Sequence, residues 1–197
     1  MVNLPAALAD YRRILNACCL FLPESSRPLE FTIVETGRLR TGESDYYINA
    51  LFQHDLVPLS PPELALVKAQ LEVNRNELLA LLDSLPPDLW DLFIPNEVRQ
   101  SIRGILRHVA TAEWWYLDRL DLAPSRDRIP EDTIAGLRFV RECFVSTLPI
   151  FSENSKMTVK REERWTPRKV IRRALWHERV HTLQIHRYAE GLVGRNG

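Results

Sequence analysis

Between residues 60 and 191 the sequence is divided by four sets of helix-start or helix-stop signals, and each interval carries apolar residues at helical spacing. The first interval opens with Ser60-Pro61-Pro62-Glu63, an N-cap hydroxyl, prolines at the first helical positions and a glutamate placed to close a capping box. Leu64, Val67, Leu71, Leu78 and Leu82 then recur at helical period until Ser84-Leu85-Pro86-Pro87 ends the run. A second interval extends from about Glu97 to Leu120, with Ile102, Ile105, Val109, Ala112, Tyr116 and Leu120 in one stripe. The third begins near Pro130-Glu131-Asp132 and carries Ile134, Leu137, Val140, Phe144 and Leu148, with Pro149 expected to stop or kink it. The fourth starts at Thr166-Pro167 and meets no breaker before Gly191, a suitable residue just past a helix end. Four amphipathic helices predict a mainly α protein in which residues 60–197 form a four-helix bundle.

Residues 1–59 read as a small α/β or irregular N-terminal extension packed on that bundle. A helix from Ala6 to Cys19 is expected, then a strand over Phe31 to Val34, while Asp45 to Leu56 is either strand or irregular. The extension holds no chemical motif. The charged run Lys156 to Arg164, between the third and fourth helices, predicts a solvated loop.

With 197 residues, 45% of them hydrophobic and 26% charged, the chain can bury an ordinary core, which excludes a disordered or fibrous class. Lys+Arg 26 balance Asp+Glu 26, so no long-range field draws nucleic acid or an anionic membrane, and neither is expected as a partner. The apolar run Ile14 to Leu22 is interrupted by Asn16 and too short to span a bilayer, so no signal peptide or anchor is expected. Cys18, Cys19 and Cys143 form neither a disulfide framework nor a thiolate metal knuckle, which suits a reducing cytoplasm.

The chemistry concentrates in the fourth helix. At about 100° per residue, Val170, Ala174, His177, His181, Gln184 and Tyr188 fall near one line, whereas Arg168, Arg172, Arg179 and His186 cluster opposite. The arginine stripe reads as a solvated face, with a partner surface as the alternative. Imidazoles four residues apart stand one turn from each other and can converge on one ion; the alternative is a pair of hydrogen-bonded core histidines. A third ligand is needed. His108, at the margin of the second helix's apolar arc, could reach a groove between helices or be an interfacial histidine. His54 lies in the extension, and His186 points away from His181.

His177-Glu178-Arg179-Val180-His181 formally matches the H-E-x-x-H pattern of zinc proteases. Those enzymes draw their third ligand from downstream, and Gln184 and Arg187 stand where one subfamily requires Gly and His. A protease is therefore disfavoured, and Glu178 reads as a partly buried helix residue or an outer hydrogen-bond acceptor.

The stretch Ser101-Ile102-Arg103-Gly104-Ile105-Leu106-Arg107-His108, followed by Val109-Ala110-Thr111-Ala112-Glu113-Trp114-Trp115, resembles the second helix of the DinB/YfiT-like proteins. The closing helix from Trp165-Thr166 through His177 and His181 to Gln184-Ile185 is similar to theirs, and the resemblance covers about residues 62–192. It implies a bundle of up-down-down-up type, commonly a homodimer, with His108, His177 and His181 binding a divalent transition metal such as zinc or nickel. Members with known activity include metal-dependent thiol S-transferases. The function implied is thus transfer of a small-molecule thiol to an electrophile; a metal-dependent hydrolase and a non-catalytic interaction or stress-response module are the alternatives. Leu183 stands where the family commonly has a small residue, and residues 1–59 have no counterpart in its short members. An all-histidine site should bind its ion more weakly as pH falls through and below about 6.5, the ordinary histidine value, and metal content constant down to about pH 4.5 would contradict it.

Overall fold

A computed structural model describes residues 4–18, 32–37, 40–41, 47–153 and 157–193. The elements in chain order are α1 (Leu4–Ala17), β1 (Arg40–Thr41), β2 (Tyr47–Ile48), α2 (Pro61–Asp83), α3 (Ile102–Asp118), α4 (Thr133–Glu153), β3 (Thr158–Lys160), β4 (Glu163–Trp165) and α5 (Pro167–Val193). The protein is mainly α. Its strands form two separate antiparallel pairs, β1 with β2 and β3 with β4. Helices α2 to α5 make the bundle: α3 packs on α4 and α5, and α2 packs on the same two, so α2 and α3 occupy opposite corners. Among the described residues no helix is long and apolar enough to cross a membrane.

The capping chemistry at the starts of α2 and α5 works as the sequence predicts, and Ser101 adds a cap at the start of α3 that a helix beginning near Glu97 does not anticipate. Ser60 and Glu63 close a reciprocal capping box at the start of α2, Ser101 caps α3 by accepting from the Gly104 amide at 3.1 Å, and the Thr166 hydroxyl accepts from the Lys169 amide at 3.2 Å.

Several boundaries differ. Helix α3 begins at Ile102 and not near Glu97, because Asn96 and Gln100 take φ of 64° and 67°, which no helix admits. Pro149 lies inside α4, which continues to Glu153; Phe151, 1% exposed, anchors the turn beyond the proline in the core. Helix α5 runs past Gly191 to Val193. Helix α1 ends at Ala17, and Cys19 lies outside the described residues. Of the expected strand Phe31 to Val34, Phe31 is outside the described residues and the rest forms no strand: Ile33 and Val34 point to solvent with no sheet to join. In the ambiguous stretch, Tyr47–Ile48 is a strand and Gln53–Leu56 a 3₁₀ turn, with Asp45 outside the described residues.

The charged run before α5 is not a solvated loop. Apart from Lys156, which falls outside the described residues, it forms the β3–β4 hairpin, whose two turn residues Arg161 and Glu162 take φ of 49° and 64°. Its Glu163 is fully buried against the equally buried Lys169, whose three ammonium protons go to Glu163 Oε1 (2.8 Å), Arg164 O (2.8 Å) and Asn49 O (3.0 Å). This ion pair ties hairpin, α5 and the N-terminal segment together.

The arginine stripe of α5 is not a solvated face either. Arg168 donates to the carbonyls of Val57 (2.9 Å) and Pro58 (2.8 Å), Arg172 to buried Asp55 (2.6 Å) and Ala50 O (3.0 Å), and Arg179 to Asp10 of α1 (2.8 Å). The stripe is the surface on which the N-terminal segment docks.

At the centre of the bundle lies a closed ring of charge with one member from each helix. Arg75 of α2 donates to Glu113 of α3 (2.8 Å) and Glu178 of α5 (2.6 Å), while Arg141 of α4 donates to Glu178 (2.6 Å) and to Glu113. The guanidinium groups also reach the carbonyls of Leu137 and Leu71. All four residues are buried, each sitting on the apolar stripe of its helix.

Candidate metal centre

The site is built from α3, α5 and the loop that leads into α3. The loop folds back on itself through Ile94 N to Gln100 O (2.7 Å) and Gln100 N to Glu97 O (2.9 Å). It then lies directly on the first turn of α3 at Gly104, where an added Cβ would meet Arg99 O at 2.0 Å. Only glycine admits this approach. The loop thereby delivers Arg99 and Glu97 to the two flanks of the histidine groove.

The structure brings His108, His177 and His181 together. His177 Nε2 lies 3.1 Å from His108 Nε2 and 3.2 Å from His181 Nε2, and the candidate donor atoms all fall within 4.8 Å of one another. Three nitrogens at the ~2.0–2.1 Å of a tetrahedral ion stand roughly 3.3–3.4 Å apart, so two edges of such a polyhedron are nearly in place. Hydrogen bonding accounts for the cluster less well. A ring nitrogen carries either one proton or one lone pair, so the shared His177 Nε2 can satisfy only one of its two neighbours, whereas a single cation engages all three lone pairs.

The surroundings keep the rings neutral. Burial, with the positive Arg99 and the His181 ring nearby, pushes His108 down to about 4, and burial with the neighbouring imidazoles pushes His177 down to about 3. Burial lowers His181 as well, opposed by its hydrogen bond to Gln184. Neutral imidazole is the ligating form, so the site is poised for a metal well below the ordinary histidine range.

One ligand is also oriented from behind. His181 Nδ1 donates to Gln184 Oε1 at 2.6 Å, which leaves the Nε2 lone pair facing the cluster; Gln184 Nε2 donates to Glu97 Oε2 at 2.6 Å, and the Tyr188 hydroxyl reaches the same oxygen at 2.7 Å. Burial raises the Glu97 carboxyl, but the Arg99 amide and Tyr188 hydroxyl outweigh it and hold the group below its usual range, so it remains an acceptor. On the other flank the Arg99 guanidinium stands 3.4 Å from His108 Nε2, placing positive charge beside the groove.

Glu178 takes no part in the groove. Burial alone would raise its carboxyl, yet Arg141 and Arg75 outweigh this and hold it ionised below the usual range, with both oxygens bound by guanidinium. It cannot serve as the general base of a zinc protease. His54 lies 3.1 Å from Arg168 on the opposite face of α5, and His186 is an exposed neighbour of Glu190, so neither joins the cluster. Leu183 points to solvent and does not crowd the site. Burial pushes the Cys143 thiol up, away from nucleophilic behaviour.

Sequence reading missed Glu97, Arg99 and the charge ring. A glutamate or arginine in a loop carries no period, and only the fold shows which groove it borders. The ring did leave a trace: Arg75, Glu113, Arg141 and Glu178 are charges at helical spacing within apolar stripes, two of each sign.

The second and fourth helices of the four-helix bundle present three converging imidazoles, backed by an outer polar shell, a donor set that could hold a metal ion. The family model of the DinB superfamily matches residues 70–185, and the chain belongs to that superfamily. No curated protein and no solved structure matches it.

Proposed function

We propose that this protein is a metal-dependent enzyme in which His108, His177 and His181 hold one divalent ion, zinc or nickel, and that it transfers a low-molecular-weight thiol to an electrophilic small molecule. The observation that carries the reading is the meeting of three neutral Nε2 atoms, 3.1 and 3.2 Å apart, at an all-nitrogen donor set. Three protein ligands leave a coordination position for an exchangeable group, the arrangement of catalytic rather than structural zinc. A divalent ion there supplies Lewis acidity, lowering the pKa of a thiol by stabilising its conjugate base.

The chain's own residues supply the rest. Gln184, held by Glu97 and Tyr188, fixes the tautomer of His181. Arg99 brings a fixed positive charge beside His108, which favours an anionic sulfur over a neutral ligand. In the reaction the sulfur forms a bond to the electrophilic carbon, the carbon's bond to its leaving group breaks, and the thiol proton departs with that group. No cysteine of the chain is required.

The test is elemental analysis of protein prepared without a His tag, beside a His177→Ala/His181→Ala variant. About one equivalent of transition metal, lost in the variant, is expected. Metal-replete protein should then accelerate transfer between thiols and electrophiles relative to metal-free protein. No metal after incubation with zinc and nickel would overturn the site; metal binding with identical thiol transfer in both forms would overturn the activity alone.

A further inference from the structure

A cavity lies on the opposite face of α5 from the histidines, between α1, α2 and α5, with a volume near 560 Å³. Pockets that take small organic molecules span about 300–1,000 Å³. Its walls are mostly apolar, with Ile14 from α1, Leu66 and Val67 from α2, Ile171 and Leu175 from α5, and Trp176 half out of the protein at the mouth; charged side chains border them. The N-terminal segment supplies one wall, so the cavity belongs to the bundle and the extension together.

Two observations define what it accepts. The first is an orphan acceptor. Asn74 lines the cavity and is 4% exposed; its Nδ2 donates to Leu175 O at 3.2 Å, but its buried Oδ1 has no hydrogen-bond partner. A buried amide oxygen left unpaired is costly, and a donor on a bound molecule would relieve that cost. The second is charge balance. The three arginines lining the cavity already face carboxylates: Arg168 pairs with Glu63 (2.8 Å), Arg172 with Asp55 (2.6 Å) and Arg179 with Asp10 (2.5 Å). An anionic ligand would have to compete with these pairs, whereas an uncharged one leaves them intact.

We infer that this cavity is a binding site for an uncharged, largely apolar small molecule, such as a phenol, whose hydroxyl or N–H donates to Asn74 Oδ1. The site is independent of the metal centre, from which α5 separates it.

The experiment compares 4-ethylphenol, 4-ethylanisole and 4-ethylbenzoate on the full chain by calorimetry and amide chemical shifts. Saturable binding of the phenol is expected at about 0.1–1 mM for a molecule this small. The anisole, which lacks the donor, should bind roughly threefold to tenfold more weakly, the effect of one hydrogen bond. The benzoate should bind more weakly than the phenol. Asn74→Leu should erase the preference for phenol over anisole, and Leu66→Trp, which fills the mouth from a half-buried position, should abolish binding of both. Both variants should keep wild-type helicity and metal uptake. No saturation of the phenol up to about 10 mM, tighter binding of the benzoate, or binding unchanged in Leu66→Trp would overturn the inference. Should either variant fail to fold, the order of the three probes on the unaltered chain decides it.

Discussion

Removing one arginine from the central ring should destabilise the bundle far more than removing the whole ring. Arg141→Met keeps the volume and stem of the side chain but withdraws the donors that reach Glu113, Glu178 and the Leu71 carbonyl. Two buried carboxylates then share Arg75 alone. Breaking a buried ion pair by deleting one partner costs about 3–5 kcal/mol, because a charge is left without compensation. For a chain of this size, each kcal/mol lowers the midpoint of thermal unfolding by about 2–4 °C, so a fall of about 6–20 °C is expected. A fourfold variant, Arg75→Met/Glu113→Leu/Arg141→Met/Glu178→Leu, removes charge and desolvation penalty together and should lie within about 2 kcal/mol of the wild type. Urea unfolding of metal-free protein followed by circular dichroism measures both, with chelator present so that metal linkage does not contribute. A cost below about 1 kcal/mol for Arg141→Met, or a fourfold variant as damaged as four single losses together, would refute the closed-ring account.

Other expectations concern the site and its scaffold. The three histidines are lowered in the folded state, to about 3 for His177 and about 4 for His108, so below the ordinary value near 6.5 the unfolded chain binds more protons. The stability they contribute is therefore full above about pH 6.5 and lost as pH falls toward those lowered values. Thermal unfolding of metal-free protein should show this slope, and His177→Phe should flatten it. Gln184→Leu removes the partner of His181 Nδ1 and should weaken metal affinity about 10–100-fold in a competition titration, with helicity unchanged. Gly104→Ala pushes a methyl group into Arg99 O and should cost about 1–3 kcal/mol while displacing the loop that carries Glu97, read as weaker metal binding together with a lower unfolding midpoint. Asp55→Ala removes the buried acceptor of Arg172 and should speed amide exchange in residues 47–59 while leaving exchange in α3 and α4 unchanged.

The bundle helices and their main apolar faces are legible in the chain alone, because capping residues, prolines and the apolar period act within a turn or two of chain. Ser60-Pro61 and Thr166-Pro167 mark true helix starts, and the i, i+4 spacing places His177 and His181 on one line without reference to packing. His108 was ambiguous on periodicity, because its place at the edge of an apolar arc says nothing about which helix faces it. Only the packing of α3 on α5 brings its Nε2 within 3.1 Å of His177.

Everything that depends on long-range partners is set by packing. The arginines of α5 looked like a solvated face, since an arginine facing outward from a bundle is indistinguishable in sequence from one that waits for an N-terminal segment some 110 residues away. The run before α5 looked like a loop because its turn, Arg161-Glu162, lacks the glycine or asparagine that announces a tight hairpin, and the burial of Glu163 against Lys169 is settled by contacts no local pattern encodes. The same holds for the cavity beside Asn74, whose unpaired oxygen exists only where three helices leave a space between them. Local structure follows from chain chemistry acting over a few residues; the partner of a charge, and the shape of a void, follow from which surfaces meet.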